Sequence, residues 1–224
     1  MKEIEIGKII FDLEEKLTGK QTHLFRGYIA KIFKQNEIIH NHDLTNGKCK
    51  YHYPLIQYKI IDGKPMILGI GSKAINILKA ILCQIRHIKF KNDSFKILKS
   101  YMEITQESIG ISHNTKTYEL VSPWLSLNSE NYKKYTNATV KDQNKILNRC
   151  LAGNILSLSK YLDYTVCEKI VPETKLFPKL VNLKGQKMTG FYGSYSVNFY
   201  LPDYIGIGKS CSRGYGSCVN ISNS

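Results

Sequence analysis

Residues 51–85 read YHYPLIQYKIIDGKPMILGIGSKAINILKAILCQI. Residues 51–61 and 65–71 are rich in the β-branched and aromatic types that suit a pleated, half-buried surface. They flank Asp62-Gly63-Lys64, a turn signal that predicts a β-hairpin. Residues 72–85 then open with Ser72 as a helix cap and repeat Ile75, Leu78, Ile81 and Leu82 at helical spacing. Strand, turn, strand and helix in that order form the middle of a β-α-β-β-α-β unit. Upstream, residues 23–34 (HLFRGYIAKIFK) put Leu24, Phe25, Tyr28, Ile29, Ile32 and Phe33 on one helical face, after the extended KEIEIGKIIFDL. Downstream, HIKFKNDSFKILKSY returns to extended structure. Residues 1–105 therefore predict a ferredoxin-like domain.

The second half repeats the flavour. Residues 116–128 predict a strand ending near Pro123. Residues 141–164 carry Ile146, Leu147, Cys150, Leu151, Ile155 and Leu158 along a helical stripe, and strand-like segments run on from Val166. A second helix is not visible. The expected architecture is α+β: tandem ferredoxin-like (RRM-like) domains, βαββαβ each, with antiparallel sheets and helices on one face. The second domain spans 106–224.

The 224 residues hold 32 Lys and Arg against 18 Asp and Glu, a net charge of +14. That excess points to a polyanionic partner, nucleic acid before a membrane surface. Fifteen tyrosines and eight phenylalanines lie among the cations, rings suited to stacking on unpaired bases. No stretch approaches the ~18 apolar residues of a membrane span, and MKEIEIGKIIF alternates like a strand rather than a signal peptide. Cysteines at 49, 83, 150, 167, 211 and 218 form no C-x-x-C pair. They read as reduced thiols of a cytoplasmic protein, with neither a disulfide framework nor a zinc site.

Near the C-terminus lies GIGKSCSRGYG, residues 206–216. Gly208-Lys209-Ser210 resembles the end of a P-loop, but the first glycine of that motif would fall on Asp203, and no βα unit follows. A flexible tail is the plain alternative. Strand-forming residues on both sides favour a loop within a sheet, where glycine lets backbone approach an anion and Lys209 and Arg213 neutralise it. Lys184 and Lys187, just upstream, either extend that track or are ordinary solvated lysines.

Three of six histidines fall within thirteen residues, at His40, His42 and His52, in HNHDLTNGKCKYHY. The segment could be a solvated loop, a metal site or a proton-transfer site. Metal is the weakest of these, because Asp43 is the sole nearby carboxylate, and the letters HNH match a nuclease motif in name only. A histidine can take a proton from one oxygen and return one to another. On RNA such a base activates a 2′-hydroxyl against the adjacent phosphate, while a cation stabilises the phosphorane. The segment supplies imidazoles, tyrosines and lysines for this.

The glycine loop Gly206–Gly216 resembles the C-terminal signature of the RAMP superfamily. Together with HLFRGYIAKIF, HNHD followed by YPLIQYKIIDGKPMILGIG, and LAGNILSLSKYLDY, the chain resembles the CRISPR repeat endoribonucleases of the Cas6 family, b subtype. The resemblance implies cleavage of precursor CRISPR RNA within its repeats, without metal or other cofactor, leaving a 2′,3′-cyclic phosphate. It implies a catalytic histidine at His40 or His42, with His40 preferred and His42 as partner or substitute, assisted from among Tyr51, Tyr53 and Lys50. It implies RNA binding by Gly206, Gly208, Lys209, Arg213, Gly214 and Gly216, with Lys184 and Lys187 as extensions. Repeat RNA is the expected partner, and effector-complex subunits and a second copy of the chain are further candidates; no membrane partner is expected. The competing reading is a RAMP-type subunit that holds guide RNA without cutting it. A DNA-binding regulator is disfavoured because no helix-turn-helix is visible.

Overall fold

The computed structural model describes residues 1–40, 52–90 and 93–222, with Glu37 and His40 as backbone only. Contacts divide the chain into two compact units. The N-terminal unit is Ile4–Glu107 with Cys211–Gly214; the C-terminal unit is Met1–Glu3, Ser108–Ser210 and Tyr215–Ser224.

The N-terminal unit runs β1 (Lys2–Leu13), α1 (Thr22–Ile32), α2 (Glu37–His40), β2 (Ile56–Ile61), β3 (Lys64–Ile70), α3 (Gly71–Gln84), β4 (His87–Phe90) and the first part of β5 (Asp93–Leu120). The sheet order is β2-β3-β1-β5, and β4 pairs with β5. The opening hairpin forms as expected, with Ile61 opposite Lys64 and a two-residue turn at Asp62 (φ 51°) and Gly63 (φ 86°). Helix α1 buries Thr22, Phe25 and Ile29. The Phe25 ring sits edge-on between Phe11 (6.0 Å) and Tyr58 (5.8 Å), and each such buried ring contributes about 1.5–3 kcal/mol.

Two local expectations change. Ser72 does not cap α3: the helix begins at Gly71, its cap position is the extended Ile70, and no side chain caps it. The strand read from residue 51 begins only at Ile56, beyond Pro54, which has no N–H to give to a ladder.

The C-terminal unit continues β5 and adds α4 (Ser129–Thr136), α5 (Val140–Tyr161), β6 (Pro172–Leu183), β7 (Gln186–Tyr200) and β8 (Cys218–Asn220). Strand β5 pairs with β7 on one side and β8 on the other, and β6 with β7, all antiparallel, so the order is β8-β5-β7-β6. That is the ferredoxin-like arrangement. The second crossover, which a helix usually makes, is residues 201–217, whose helical content is one turn at Cys211–Arg213. Helix α5 buries Leu147, Leu151, Ile155 and Leu158, and β7 buries Phe191, Tyr195, Val197 and Phe199.

Candidate nucleic-acid interface and active site

The glycine loop is built onto the C-terminal unit by backbone bonds. The Ile207 amide donates to the Gly216 carbonyl (2.9 Å), Lys209 to Leu125 (3.0 Å) and Gly216 to Pro123 (2.8 Å). Its glycines are needed for that packing. Gly208 sits at φ 81°, and a Cβ there would lie 2.6 Å from the Trp124 indole nitrogen and 2.9 Å from Asn154 Oδ1. Those two atoms already share a 3.0 Å hydrogen bond. Gly216, at φ 69°, is pressed against the Ile207 carbonyl oxygen. Gly206 and Gly216 are buried, so the part of the loop turned to solvent is centred on the exposed Lys209 and the half-buried Arg213.

Arg213 and Gly214 belong to the N-terminal unit, where their segment lies against the edge strand β2 and the start of α1. Gly214 (φ 85°) has no room for a Cβ, which would fall 2.9 Å from both the Thr22 methyl and the Tyr58 carbonyl oxygen. Arg26 stands one turn beyond Thr22 on the same face of α1. The two guanidiniums are close enough to interact: burial lowers the Arg26 pKa most, and the charge of Arg213 lowers it further. Two cations kept near each other by packing make a local positive potential that favours an anion. Sequence analysis missed Arg26, whose partner is nearly two hundred residues away.

Lys184 and Gly185 form the two-residue turn of the β6–β7 hairpin (φ 54° and 82°). Lys187 pairs with Asn182, whose backbone carbonyl accepts the Tyr215 hydroxyl at 2.7 Å. The structure thus brings both lysines beside Tyr215 of the glycine loop.

Of the expected catalytic residues, His40 ends α2 and its side chain lies outside the described part; His42, Lys50 and Tyr51 lie outside the described residues altogether. Tyr53 is described. Its hydroxyl oxygen accepts from Gln57 Nε2 at 2.7 Å, and Gln57 Oε1 accepts from Lys59 Nζ at 2.9 Å. Gln57 and Lys59 are buried, 0% and 1% exposed, on alternate residues of β2. A lysine so deep needs bonded partners, and here one is the amide that holds the Tyr53 phenol. In the strand IQYKII, Gln57 and Lys59 read as ordinary polar residues, and nothing in the sequence marks their hydrogen-bonded chain to Tyr53.

Two ferredoxin-like units in tandem, the second with its last crossover made by a glycine loop, are the fold of the RAMP-type proteins. Family models for the Cas6b N-terminal and C-terminal domains match residues 2–108 and 110–221. The chain belongs to the Cas6b family. It is similar to a solved structure of Cas6b at 36% identity, covering 98% of this chain and 100% of that one, with a TM-score of 0.93. A solved CRISPR RNA processing endoribonuclease Cas6b matches at 33% identity over 98% of this chain and 100% of its own, with a TM-score of 0.79. An uncharacterized protein of Methanocaldococcus jannaschii is 37% identical over 142 residues, 63% of this chain and 97% of that protein.

Proposed function

We propose that this protein cleaves precursor CRISPR RNA within its repeats, without a metal ion, to give mature guide RNA. The observation that carries the reading is the likeness across 98% of the chain, at 33% identity, to a CRISPR RNA processing endoribonuclease. In the reaction His40, with His42 as partner or substitute, removes the proton of the 2′-hydroxyl. The 2′-oxygen attacks the neighbouring phosphorus, the bond from phosphorus to the 5′-oxygen breaks, and that oxygen takes up a proton. The products are a 2′,3′-cyclic phosphate and a 5′-hydroxyl. Lysine charge stabilises the phosphorane, Lys50 being the candidate in the histidine segment. Tyr53, oriented through Gln57 and Lys59, and Tyr51 are the candidate proton donors.

In the N-terminal unit Arg26 and Arg213 grip phosphate that positions the strand without reading its bases; in the C-terminal unit Lys209 is a separate phosphate contact. For a single-stranded segment each lost phosphate contact lowers the slope of log affinity against log salt by about 0.7. Arg213→Ala and Arg26→Ala are each expected to flatten the slope by that amount, whatever the RNA sequence. Unchanged slopes in both would remove the pair from the interface.

Tyr53→Phe is expected to slow single-turnover cleavage about 10²-fold or more, the range of acid–base contributions, at unchanged affinity for an uncleavable RNA. Gln57→Leu, which releases Tyr53 without removing it, should slow the same step less and leave the hydroxyl in place. Tyr53→Phe cleaving at the native rate would exclude this phenol as proton donor. A wild-type protein that binds authentic repeat RNA and leaves it intact would identify a guide-holding subunit instead.

A further inference from the structure

The β6–β7 hairpin carries an aromatic surface that the cleavage chemistry does not use. Phe177 on β6 lies directly opposite Tyr192 on β7. Their rings stack with centroids 6.0 Å apart and 14° between planes, yet Phe177 is 57% exposed. Thr174 bonds to Asn148 of α5 through both its amide and its hydroxyl (3.0 and 2.7 Å). Side chains alternate along a strand, so Phe177 and its neighbours Lys175 and Lys179 belong to the sheet face turned away from that helix. Lys179 Nζ stands 5.5 Å from the Tyr192 ring centroid. Tyr215 completes the group: after burial, its proximity is the next cause that raises the Tyr192 pKa, and its hydroxyl is anchored on Asn182.

Charge decides what covers this face. Hairpin residues 172–200 hold Lys175, Lys179, Lys184 and Lys187 against one carboxylate, Glu173. A second copy of a chain of net charge +14 would meet like charge here; a strand of unpaired nucleotides offers phosphates to the lysines and π-faces to the rings. We infer that Phe177 and Tyr192, flanked by Lys175 and Lys179, form a stacking platform for unpaired bases of the bound RNA, outside the scissile phosphate. The inference rests on the proposed RNA substrate but not on the catalytic histidines.

The test uses the full chain and repeat RNA from its own genome, blocked by a 2′-deoxy sugar at the cut and carrying 2-aminopurine at successive unpaired positions. Wild type should quench the fluorophore at one or two positions. Phe177→Ala should abolish that quench and weaken binding about 5- to 150-fold, the scale of one stacked base, with the salt slope unchanged. Phe177→Trp should restore both. The exposed side chain makes misfolding of these variants an unimportant outcome, and thermal melting checks it. Wild type that binds tightly while Phe177→Ala keeps its affinity and its quench overturns the platform and leaves the endoribonuclease reading intact. Wild type that fails to bind repeat RNA overturns that reading first. A Phe177→Ala change in sedimentation with no change in quench shows that a second copy covers the face, which also overturns the platform.

Discussion

Replacing both His40 and His42 by alanine is expected to slow single-turnover cleavage of repeat RNA about 10²–10⁴-fold, the usual contribution of a positioned acid–base group. Binding of an RNA blocked by a 2′-deoxy sugar should stay within about twofold, because imidazoles that move protons add little to phosphate affinity. The single variants rank the pair. If His40 is the base, His40→Ala should account for nearly the whole loss, and His42→Ala for a smaller one. Equal partial losses would mean that the two share the proton. A double variant that cleaves at the wild-type rate would falsify proton transfer by this segment.

The second large effect is on stability. Gly216→Ala is expected to destabilise the protein by about 2–4 kcal/mol. Left-handed backbone costs an L-residue about 1–2 kcal/mol, and the added methyl has to displace the carbonyl of Ile207, the residue whose amide donates to the Gly216 carbonyl. For a chain of this size that corresponds to a melting temperature lower by about 5–15 °C. Lys209→Ala, an exposed side chain in the same loop, should melt within about 2 °C of wild type while losing RNA affinity. The contrast separates what the loop does for the fold from what it does for the ligand. Gly216→Ala melting with wild type would mean that the loop is not held as described.

Much of the fold was legible because local signals agreed with the tertiary result. Asp62-Gly63 marked the hairpin, and the stripes through Phe25–Ile29, Ile75–Leu78–Ile81 and Leu147–Leu151–Ile155–Leu158 marked α1, α3 and α5. Helix α4, SENYKKYT, escaped because it has no apolar stripe and no buried residue; Asn128 caps it, and Tyr135 packs edge-on against Phe191. The length of β5 escaped because one continuous strand serves both units, and nothing in local composition says that Glu107 and Ser108 belong to different ones. The second crossover of the C-terminal unit is made by residues 201–217, which include the glycine loop, in place of a long helix.

The site divided in the same way. The loop stood out by its glycines and cations; its glycines are shaped by protein neighbours, and Lys209 and Arg213 are the cations it leaves at least partly exposed. Arg26, Lys59 and the Phe177–Tyr192 pair carry no local signal. Each gains its meaning from a partner brought to it in the folded chain: Arg213 near the start of α1, Gln57 on the same edge strand with Tyr53 bonded to it, and the antiparallel register of β6 with β7.

Single-turnover cleavage of labelled repeat RNA in excess EDTA, with and without a 2′-deoxy sugar at the cut, tests the central claim most directly. The expected result is undiminished cleavage of the all-ribose strand, none of the deoxy strand, and a 2′,3′-cyclic phosphate on the upstream product. Cleavage that stops in EDTA, or that proceeds through the deoxy sugar, would contradict metal-free attack by the 2′-hydroxyl.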